Sequence, residues 1–384
     1  MKMNKHLYVD LHILQDIPPS NINRDDNGTP KQAMYGGANR LRVSSQAWKR
    51  ATRLAFKDSI DKSQLGVRTR QFVKLLSEEL QAKGVDRVVA DKVAAGTSAA
   101  LGITVGKKET NLAYLLFFGR SQVDEIVRRI LDRIDVLAQL DGEKLVEEAK
   151  AINVEEILGE GHSLDVALFG RMVADIADLN VDAAVQVAHA LSTHAAQTDF
   201  DYFTAVDDVQ KASETGAGMI SSVEFNSATL YRYATVGVHQ LFANLGDLDA
   251  TADGVVEFIK AFVLSMPAGH KTSFAPQTRP GFVGVVIRED QPVNLVSAFE
   301  TPISSDGGTF EPSMVELSEF VSEEATRWGD RPLTTVATYR TPVQGSDSDH
   351  VAQAFGPSLP FSDLLTSVDR VVHDWLATAE RIEE

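Results

Sequence analysis

The sequence lacks cysteine, which excludes disulfide bonds, thiolate nucleophiles, iron–sulfur clusters and cysteine-ligated zinc sites. It also lacks any apolar run of about eighteen residues, and the opening MKMNKHLYVDLHIL turns polar too early for a signal peptide. We therefore predict a cytoplasmic protein with no membrane segment. Its 384 residues are enough for two or three folding units around a sizeable core.

Recognisable enzyme signatures are missing as well. The motifs HExxH, GxxxxGK[ST] and GxSxG do not occur, nor does GxGxxG between a strand and a helix. The nine histidines are scattered, and His189 and His194 lack the i, i+4 spacing of a metal-binding pair. We therefore predict no metal and no cofactor.

Two pairs of adjacent carboxylates keep an enzymatic alternative open. Asp25–Asp26 and Asp207–Asp208 could each hold a divalent metal for phosphodiester hydrolysis, if further carboxylates converged on them from elsewhere. The simpler interpretation is that Asp25 or Asp26 caps a turn and pairs with Arg24. We predict that the protein is not an enzyme; the alternative is a metal-dependent RNA endonuclease that uses Asp25 and Asp26.

Acidic residues outnumber basic ones in the sequence as a whole, 54 to 37, but one tract shows the reverse. The formal net charge is −17, yet residues 21–57, which we call the basic tract, carry eight lysines and arginines against two aspartates. A local basic field in an acidic protein indicates a polyanionic partner held at that position. Nucleic acid is the first candidate.

Periodicity predicts how the basic tract folds. Residues 40–43 alternate, which places Arg40 and Arg42 on one face of a strand. Ser44 or Ser45 then caps a helix, whose inward stripe is Ala47, Ala51, Leu54 and Ala55. The outward positions are Gln46, Lys49, Arg50, Arg53 and Lys57.

The start of this helix is a predicted phosphate site. Backbone N–H groups at a helix start favour phosphate, and Lys31 in the preceding loop and the two strand arginines converge there. The aromatic RNP string of an RNA recognition motif does not occur. We therefore expect contacts to the nucleic-acid backbone rather than base reading.

The remaining pattern predicts an α+β fold. Residues 6–17 alternate as a half-buried strand, and residues 69–194 read as almost wholly helical, with Val166, Phe169, Val173 and Ile176 at helical spacing. Residues 198–236 predict a long hairpin with a polar tip. Further strands are expected at 282–288 and 333–339, and helices at 253–266 and 364–382. These elements indicate a small sheet domain interrupted by a helical insertion and a hairpin.

Several segments resemble the CasC family, the backbone subunit of the type I-E Cascade, a CRISPR surveillance complex. The longest is HILQDIPPSNINRDDNGTPKQAMYGGANRLRVSSQAWKRATR. The others, in order, are SLDVALFGRMVADIADLNVDAAVQVAHALSTH, DYFTAVDD, GAGMISSVEFNSATLYRY, ANLG and TRPGFV. The likeness spans most of the chain and is weaker at residues 60–160 and in the C-terminal quarter.

This resemblance implies a fold shaped like a right hand. Residues 1–59 and 227–384 would form a palm with an RRM-like (ferredoxin-like) sheet, residues 60–193 helical fingers, and residues 194–226 a β-hairpin thumb. Copies would stack along a guide RNA (crRNA) as a helical filament, and base pairing with target DNA would supply recognition. The implied partners are the crRNA guide, target DNA, further copies of the chain and the other Cascade subunits. A protein-only scaffold is a second alternative.

The resemblance also implies RNA-binding residues. Those of the palm are Arg24, Lys31, Ser44, Gln46, Lys49 and Arg53, and Arg50 joins them because sequence alone does not phase the helix to one residue. In the thumb, Thr204 lies in FTAVDD, and Met219 would be the flexible apolar wedge that displaces a nucleotide. Met172, in FGRM, would be a contact from the fingers.

Overall fold

The computed structural model describes residues 5–102, 112, 115–205, 219–304, 306–340 and 345–383. The chain forms two compact units. The helical unit contains Phe56–Val185 and Val238–Gly254, and the sheet unit contains Lys5–Ala55, Gln186–Gly237 and Val255–Glu384. In the part of the chain that is described, no helix is both long and apolar enough to cross a membrane.

Most strands belong to one antiparallel sheet. The strands are β1 (Tyr8–Ser20), β2 (Gln32–Tyr35), β3 (Ala38–Val43), β4 (Gly66–Thr69), β5 (Leu116–Gly119), β6 (Val185–Val187), β7 (Ala190–Ser192), β8 (Asp199–Ala205), β9 (Met219–Gly237), β10 (Phe282–Arg288) and β11 (Thr334–Tyr339). The path through the large sheet is β11-β10-β1-β9-β7-β3-β2, and β6 and β8 also pair with β9. Strands β4 and β5 form a separate pair.

Helices make up much of the remainder, which confirms the α+β class. They are α1 (Ser45–Ser59), α2 (Phe72–Ala82), α3 (Arg87–Ala100), α4 (Arg120–Leu131), α5 (Ile134–Leu137), α6 (Gly142–Ala149), α7 (Val154–Gly159), α8 (Leu164–Phe169), α9 (Val238–Leu245), α10 (Leu248–Leu264), α11 (Lys271–Phe274), α12 (Phe310–Trp328), α13 (Gly345–Phe355) and α14 (Phe361–Glu383). The strands expected at 282–288 and 333–339 are β10 and β11, and the helices expected at 253–266 and 364–382 are α10 and α14.

Strand β1 is buried on both faces, so the prediction of a half-buried strand is wrong. Asp10, His12 and Leu14, on one face, are as buried as Val9 and Ile13 on the other. The first face packs against residues of α12 and α13. On the second face, Arg232 of β9 lies opposite Ile13 and stacks on Trp48 of α1. The alternation therefore separates two buried faces of the strand that differ in polarity, rather than one buried face and one exposed face.

Strands β8 and β9 are the two arms of the hairpin expected from the sequence. They pair antiparallel from Asp199 opposite Phe225 to Ala205 opposite Met219. The tip at residues 206–218, which includes the Asp207–Asp208 pair, lies outside the described residues. Because β9 is 19 residues long and also pairs with β1, one continuous strand connects the hairpin to the centre of the sheet.

The expectation that residues 69–194 are almost wholly helical is only partly met. Helix α8 ends at Phe169, because Gly170 has a left-handed φ of 75°. Arg171 is then buried, and its guanidinium donates to the carbonyls of Phe117, Leu158 and Leu179. These bonds hold the following residues in an irregular path, so the helical spacing of Val173 and Ile176 does not form a helix. Strands β6 and β7 follow where helix was expected.

Candidate nucleic-acid interface

Helix α1 begins at a junction fixed by hydrogen bonds. The Ser44 hydroxyl accepts from the Ala47 N–H at 3.3 Å, which makes Ser44 the N-cap. The Ser44 N–H donates to Oδ1 of Asn23 at 2.8 Å, and the Lys31 N–H donates to the Asn23 carbonyl at 2.9 Å. Asn23 thus ties the loop of residues 24–31 to the helix start. Ser44 is buried, so its side chain serves the cap, and its contact with RNA stays a prediction.

His189 shares this helix start with Lys31 and Arg42. Its Nδ1 accepts the Ser45 N–H at 3.3 Å and lies 3.4 Å from Nη1 of Arg42. Burial and the positive charges of Arg42 and Lys31 lower the pKa of His189. With Nδ1 accepting, Nε2 carries the proton of the neutral ring and is a hydrogen-bond donor. Sequence analysis missed His189 because its position depends on the pairing of β7 with β3.

The inward face of α1 is offset from the predicted stripe. Its buried side chains are Trp48, Ala51, Thr52 and Phe56, whereas Leu54 is 41% exposed. Trp48 sets this phase, because the guanidinium of the buried Arg232 lies 3.7 Å from the centre of its ring. The offset leaves Gln46 and Arg50 exposed and Lys49 and Arg53 half-buried. Lys57, one turn beyond Arg53, is exposed.

Arg40 does not belong to the surface on which the sequence placed it. It is fully buried, and its guanidinium donates to five carbonyls at 2.8 to 3.2 Å. The acceptors are Tyr35, Ser192, Thr193, Phe299 and Glu300. Arg42, two residues on, is only half-buried. The strand therefore contributes one arginine to the surface and one to the interior.

Four of the cations on this surface lack a carboxylate partner in the part of the chain that the structure describes. Within the described residues, Arg24, Lys31, Lys49 and Arg50 form no ion pair. Burial alone lowers the pKa of Lys49. A half-buried ammonium group with no counter-ion is unfavourable, and a bound anion would compensate for its lost hydration. We call the group Arg24, Lys31, Arg42, Lys49 and Arg50, together with the start of α1, the basic surface.

The two acids of the basic tract shape a turn. Oδ1 of Asp25 accepts the N–H groups of Asn27 and Thr29 at 2.9 and 3.0 Å. Asp26 is exposed. Among the residues with described positions, no group of three or more Asp, Glu or His side chains could hold a metal. The carboxylate convergence that the endonuclease alternative requires is therefore not found in that part of the chain.

Arg24 also lines a cavity with aromatic walls. The cavity, about 640 Å³, lies between residues 24–28, the hairpin arms and the turn at residues 270–274. Phe203, which is 41% exposed, and the edge-to-face pair His270 and Phe274 provide the rings. Aromatic faces beside an arginine are typical of sites that stack the bases of single-stranded nucleic acid. Sequence analysis did not select Phe203, His270 or Phe274, because no local motif brings these segments together.

The other predicted contacts lie elsewhere. Met172 belongs to the helical unit and is 83% exposed, between the buried residues Arg171 and Val173. Thr204 and Met219 occupy neighbouring rungs of the hairpin, where Thr204 pairs with Ile220 and Ala205 with Met219. Their side chains lie outside the described part of the chain. The wedge role of Met219 thus stays a prediction.

Comparison with known proteins identifies the family of this chain. Residues 9–359 match the model of the CT1975-like protein family. A solved chain described as "CRISPR RNA-guided surveillance complex, pre-nicking" is 30% identical with a TM-score of 0.83, covering 95% of this chain and 100% of that one. Another, described as "CRISPR RNA-guided surveillance complex", is 29% identical with a TM-score of 0.72, covering 95% and 99%. A search of curated proteins found no match. The chain belongs to the CT1975-like protein family.

Proposed function

We propose that this chain is the guide-RNA-binding backbone subunit of a type I-E Cascade, the CasC type, and works in the cytoplasm. It binds the crRNA guide, associates with further copies of itself along that RNA, and presents bases for pairing with target DNA. The observation that carries the proposal is the basic surface, which combines a capped helix start with cations that have no carboxylate partner among the described residues. The likeness to chains of RNA-guided surveillance complexes supports it.

In this proposal the chain has three parts, a palm, fingers and a thumb, as in a right hand. Residues 1–59 and 227–384 are an RRM-like palm that carries the basic surface, residues 60–193 are the fingers, and residues 194–226 are the thumb. Arg24, Lys31, Ser44, Gln46, Lys49, Arg50 and Arg53 hold guide phosphates, and His189 adds a donor. Met172 makes a contact from the fingers, and its 83% exposed side chain is accessible for it. Thr204 and Met219 act from the thumb on a neighbouring stretch of guide.

A charge reversal on α1 tests the proposal. We expect Lys49→Glu combined with Arg50→Glu to lower affinity for single-stranded guide RNA roughly 100-fold at moderate salt, and to reduce its salt dependence, because fewer counter-ions are released. The matched control is Arg331→Glu combined with Arg370→Glu, which changes the same charge at exposed positions of the sheet unit. RNA binding is measured by fluorescence anisotropy over a salt series.

Two readouts make this result decisive. Circular dichroism and thermal melting of both variants should match the parent, because Arg50, Arg331 and Arg370 are exposed and the half-buried Lys49 forms no ion pair within the described residues. The purified parent should show a high ratio of absorbance at 260 to 280 nm, and nuclease digestion should disperse its filaments. Equal RNA affinity of the two variants would refute the basic surface. Filaments that persist without RNA would favour the protein-only scaffold.

We also propose that the isolated protein does not cleave nucleic acid. Phosphodiester hydrolysis by metals needs several converging carboxylates, and Asp25 is already engaged in its own turn. Guide RNA and a complementary strand should stay intact for hours with Mg²⁺ or Mn²⁺. Cleavage by the parent that disappears in Asp25→Asn or Asp26→Asn would establish the endonuclease alternative instead.

A further inference from the structure

A second stretch of this acidic chain carries a local excess of positive charge. No Asp or Glu occurs from residue 258 to residue 288, although the chain has 54 of them. The central part, residues 268–281, which we call the α10–β10 loop, exposes Lys271 and Arg279. This local excess of positive charge resembles that of the basic tract on a smaller scale, and the proposed function assigns it no role.

The α10–β10 loop is held firmly despite its irregular path. Gly269 packs against the backbone of the residues that follow β1. A Cβ added at Gly269 would lie only 2.5 Å from the carbonyl oxygen of Ile22. Thr278 donates its hydroxyl to the Asp16 carbonyl at 2.6 Å, and its own carbonyl accepts from the Gln15 side chain at 2.8 Å. His270 and Ala275 both have left-handed φ angles, of 44° and 46°. The exposed cations are thus presented by a fixed backbone.

A cavity flanks each side of this loop. On one side, His270 and Phe274 complete the aromatic cavity that Arg24 lines. On the other, Thr278 and Arg279 line a cavity of about 410 Å³ together with Arg340. The guanidinium of Arg340 lies 5.0 Å from the centre of the Phe310 ring. The loop therefore extends the basic surface from Arg24 towards Arg279 and Arg340.

The charges around the loop favour phosphate at its rim. Lys271 and Arg279 form no ion pair with any carboxylate of the described residues. Arg340 lies 3.5 Å from Glu311, and both are solvent-accessible enough for this pair to contribute little. Asp201 and Glu224 line the first cavity and Asp16 the second, and their negative charge disfavours phosphate inside. A strand of RNA would keep its phosphates at the outer cations.

We propose that the α10–β10 loop is a second contact for the guide RNA, in which Lys271 and Arg279 bind backbone phosphates that follow those held at Arg24. The ligand class is the phosphodiester backbone of a single RNA strand. This inference rests on the proposed function and extends its binding surface to Lys271 and to Arg279 of the TRPGFV segment, to which no role had been assigned. Base identity plays no part in the proposed contact, because the backbone phosphates are the same at every nucleotide.

Lys271→Glu combined with Arg279→Glu tests the loop, with Arg331→Glu plus Arg370→Glu as the matched control. We expect affinity for a single-stranded guide RNA to fall roughly tenfold and the slope of log affinity against log salt to decrease by about 1.4, at 0.7 per lost phosphate contact. Ultraviolet crosslinking of the parent to the same RNA, followed by peptide mass spectrometry, should label residues 268–281. Melting temperatures should not change.

The outcomes separate the loop from the proposed function. If the loop variant binds like the control while Lys49→Glu with Arg50→Glu loses affinity, the loop inference is wrong and the proposed function stands. If guide binding is unchanged and only capture of a complementary DNA strand weakens, the loop contacts DNA and the inference is overturned. If the parent itself binds no guide RNA, the proposed function fails first.

Discussion

The basic surface and the interior of the sheet on which α1 packs use charged side chains in opposite ways. On the surface, Arg24, Lys49 and Arg50 have no carboxylate partner among the described residues. In the interior, Arg40 binds five backbone carbonyls, and Arg232 lies between the rings of Trp48 and Phe262. Both regions include arginines of the same tract, yet only one of them leaves its cations available to a ligand.

Substitution of a cation should therefore affect RNA binding in one region and folding stability in the other. An exposed cation without a partner contributes little to folding, so its replacement should change binding and leave stability nearly unaltered. A buried cation that satisfies several carbonyls contributes no binding, and its removal leaves those carbonyls buried and unpaired. The eight basic residues of the tract therefore overstate its binding capacity, because one of them serves the fold.

The largest effect should come from Arg40, which tests the interior half of the comparison. We expect Arg40→Met, which retains volume but none of the donors, to lower the free energy of unfolding by about 3 to 5 kcal/mol. Loss of the bonds to Thr193 and Phe299 would disconnect β3 from the segments beside it. Urea denaturation followed by circular dichroism measures the change.

Arg42 provides the matched control on the same strand. Arg42→Met should cost less than about 1 kcal/mol of stability, because the Arg42 side chain is half-buried and its contacts are weaker. The same variant should weaken RNA binding, whereas any Arg40→Met protein that folds should bind normally. Equal stability losses at the two positions would contradict this comparison. They would show that the different burial of Arg40 and Arg42 does not determine the stability cost of replacing them.

The sequence predicted the elements better than it predicted which face of each is buried. Strand β10, helix α14 and the hairpin arms followed from local periodicity, because each buries side chains in a pattern that its own residues determine. The burial of Arg40 depends on carbonyls up to 260 residues away in sequence, and no local pattern contains them. The phase of α1 depends on Arg232 in the same way.

The residues of the candidate site also differ in whether the local sequence could predict them. Helical spacing placed Gln46, Lys49, Arg50 and Arg53 on one helix, and the N-cap signal narrowed the cap to Ser44 or Ser45, of which the structure shows Ser44. His189 and the aromatic cavity beside Arg24 required the pairing of strands distant in sequence. The acid-free stretch at residues 258–288 was visible in the sequence, yet it has too few bases to stand out without the structure.

Two titratable residues of β1 make the interior sensitive to acid. Asp10 accepts from the Tyr233 hydroxyl and the Val293 N–H at 2.9 Å, and burial raises its pKa to about 6. His12, two residues on, contacts the Tyr231 hydroxyl at 2.9 Å, and burial and then Arg288 lower its pKa to about 3. The two shifts have opposite effects on stability as the pH falls.

The pH dependence that these residues confer is a smaller effect than the loss of stability expected for Arg40→Met. Below pH 6.5 the unfolded chain protonates His12 and the folded chain does not, so between pH 7 and pH 5 His12 costs about 2 kcal/mol of stability. Asp10 is protonated in the folded chain from about pH 6 downwards but unfolded only near 3.8, so it contributes about 1 kcal/mol of stability over the same range. We expect His12→Gln to gain stability relative to the parent on acidification, and Asp10→Asn to lose it. Urea denaturation at pH 7 and pH 5 measures both differences independently of any constant packing cost. An unchanged pH dependence in both variants would mean that acid acts through the surface, which contradicts the assignment of stability to the interior.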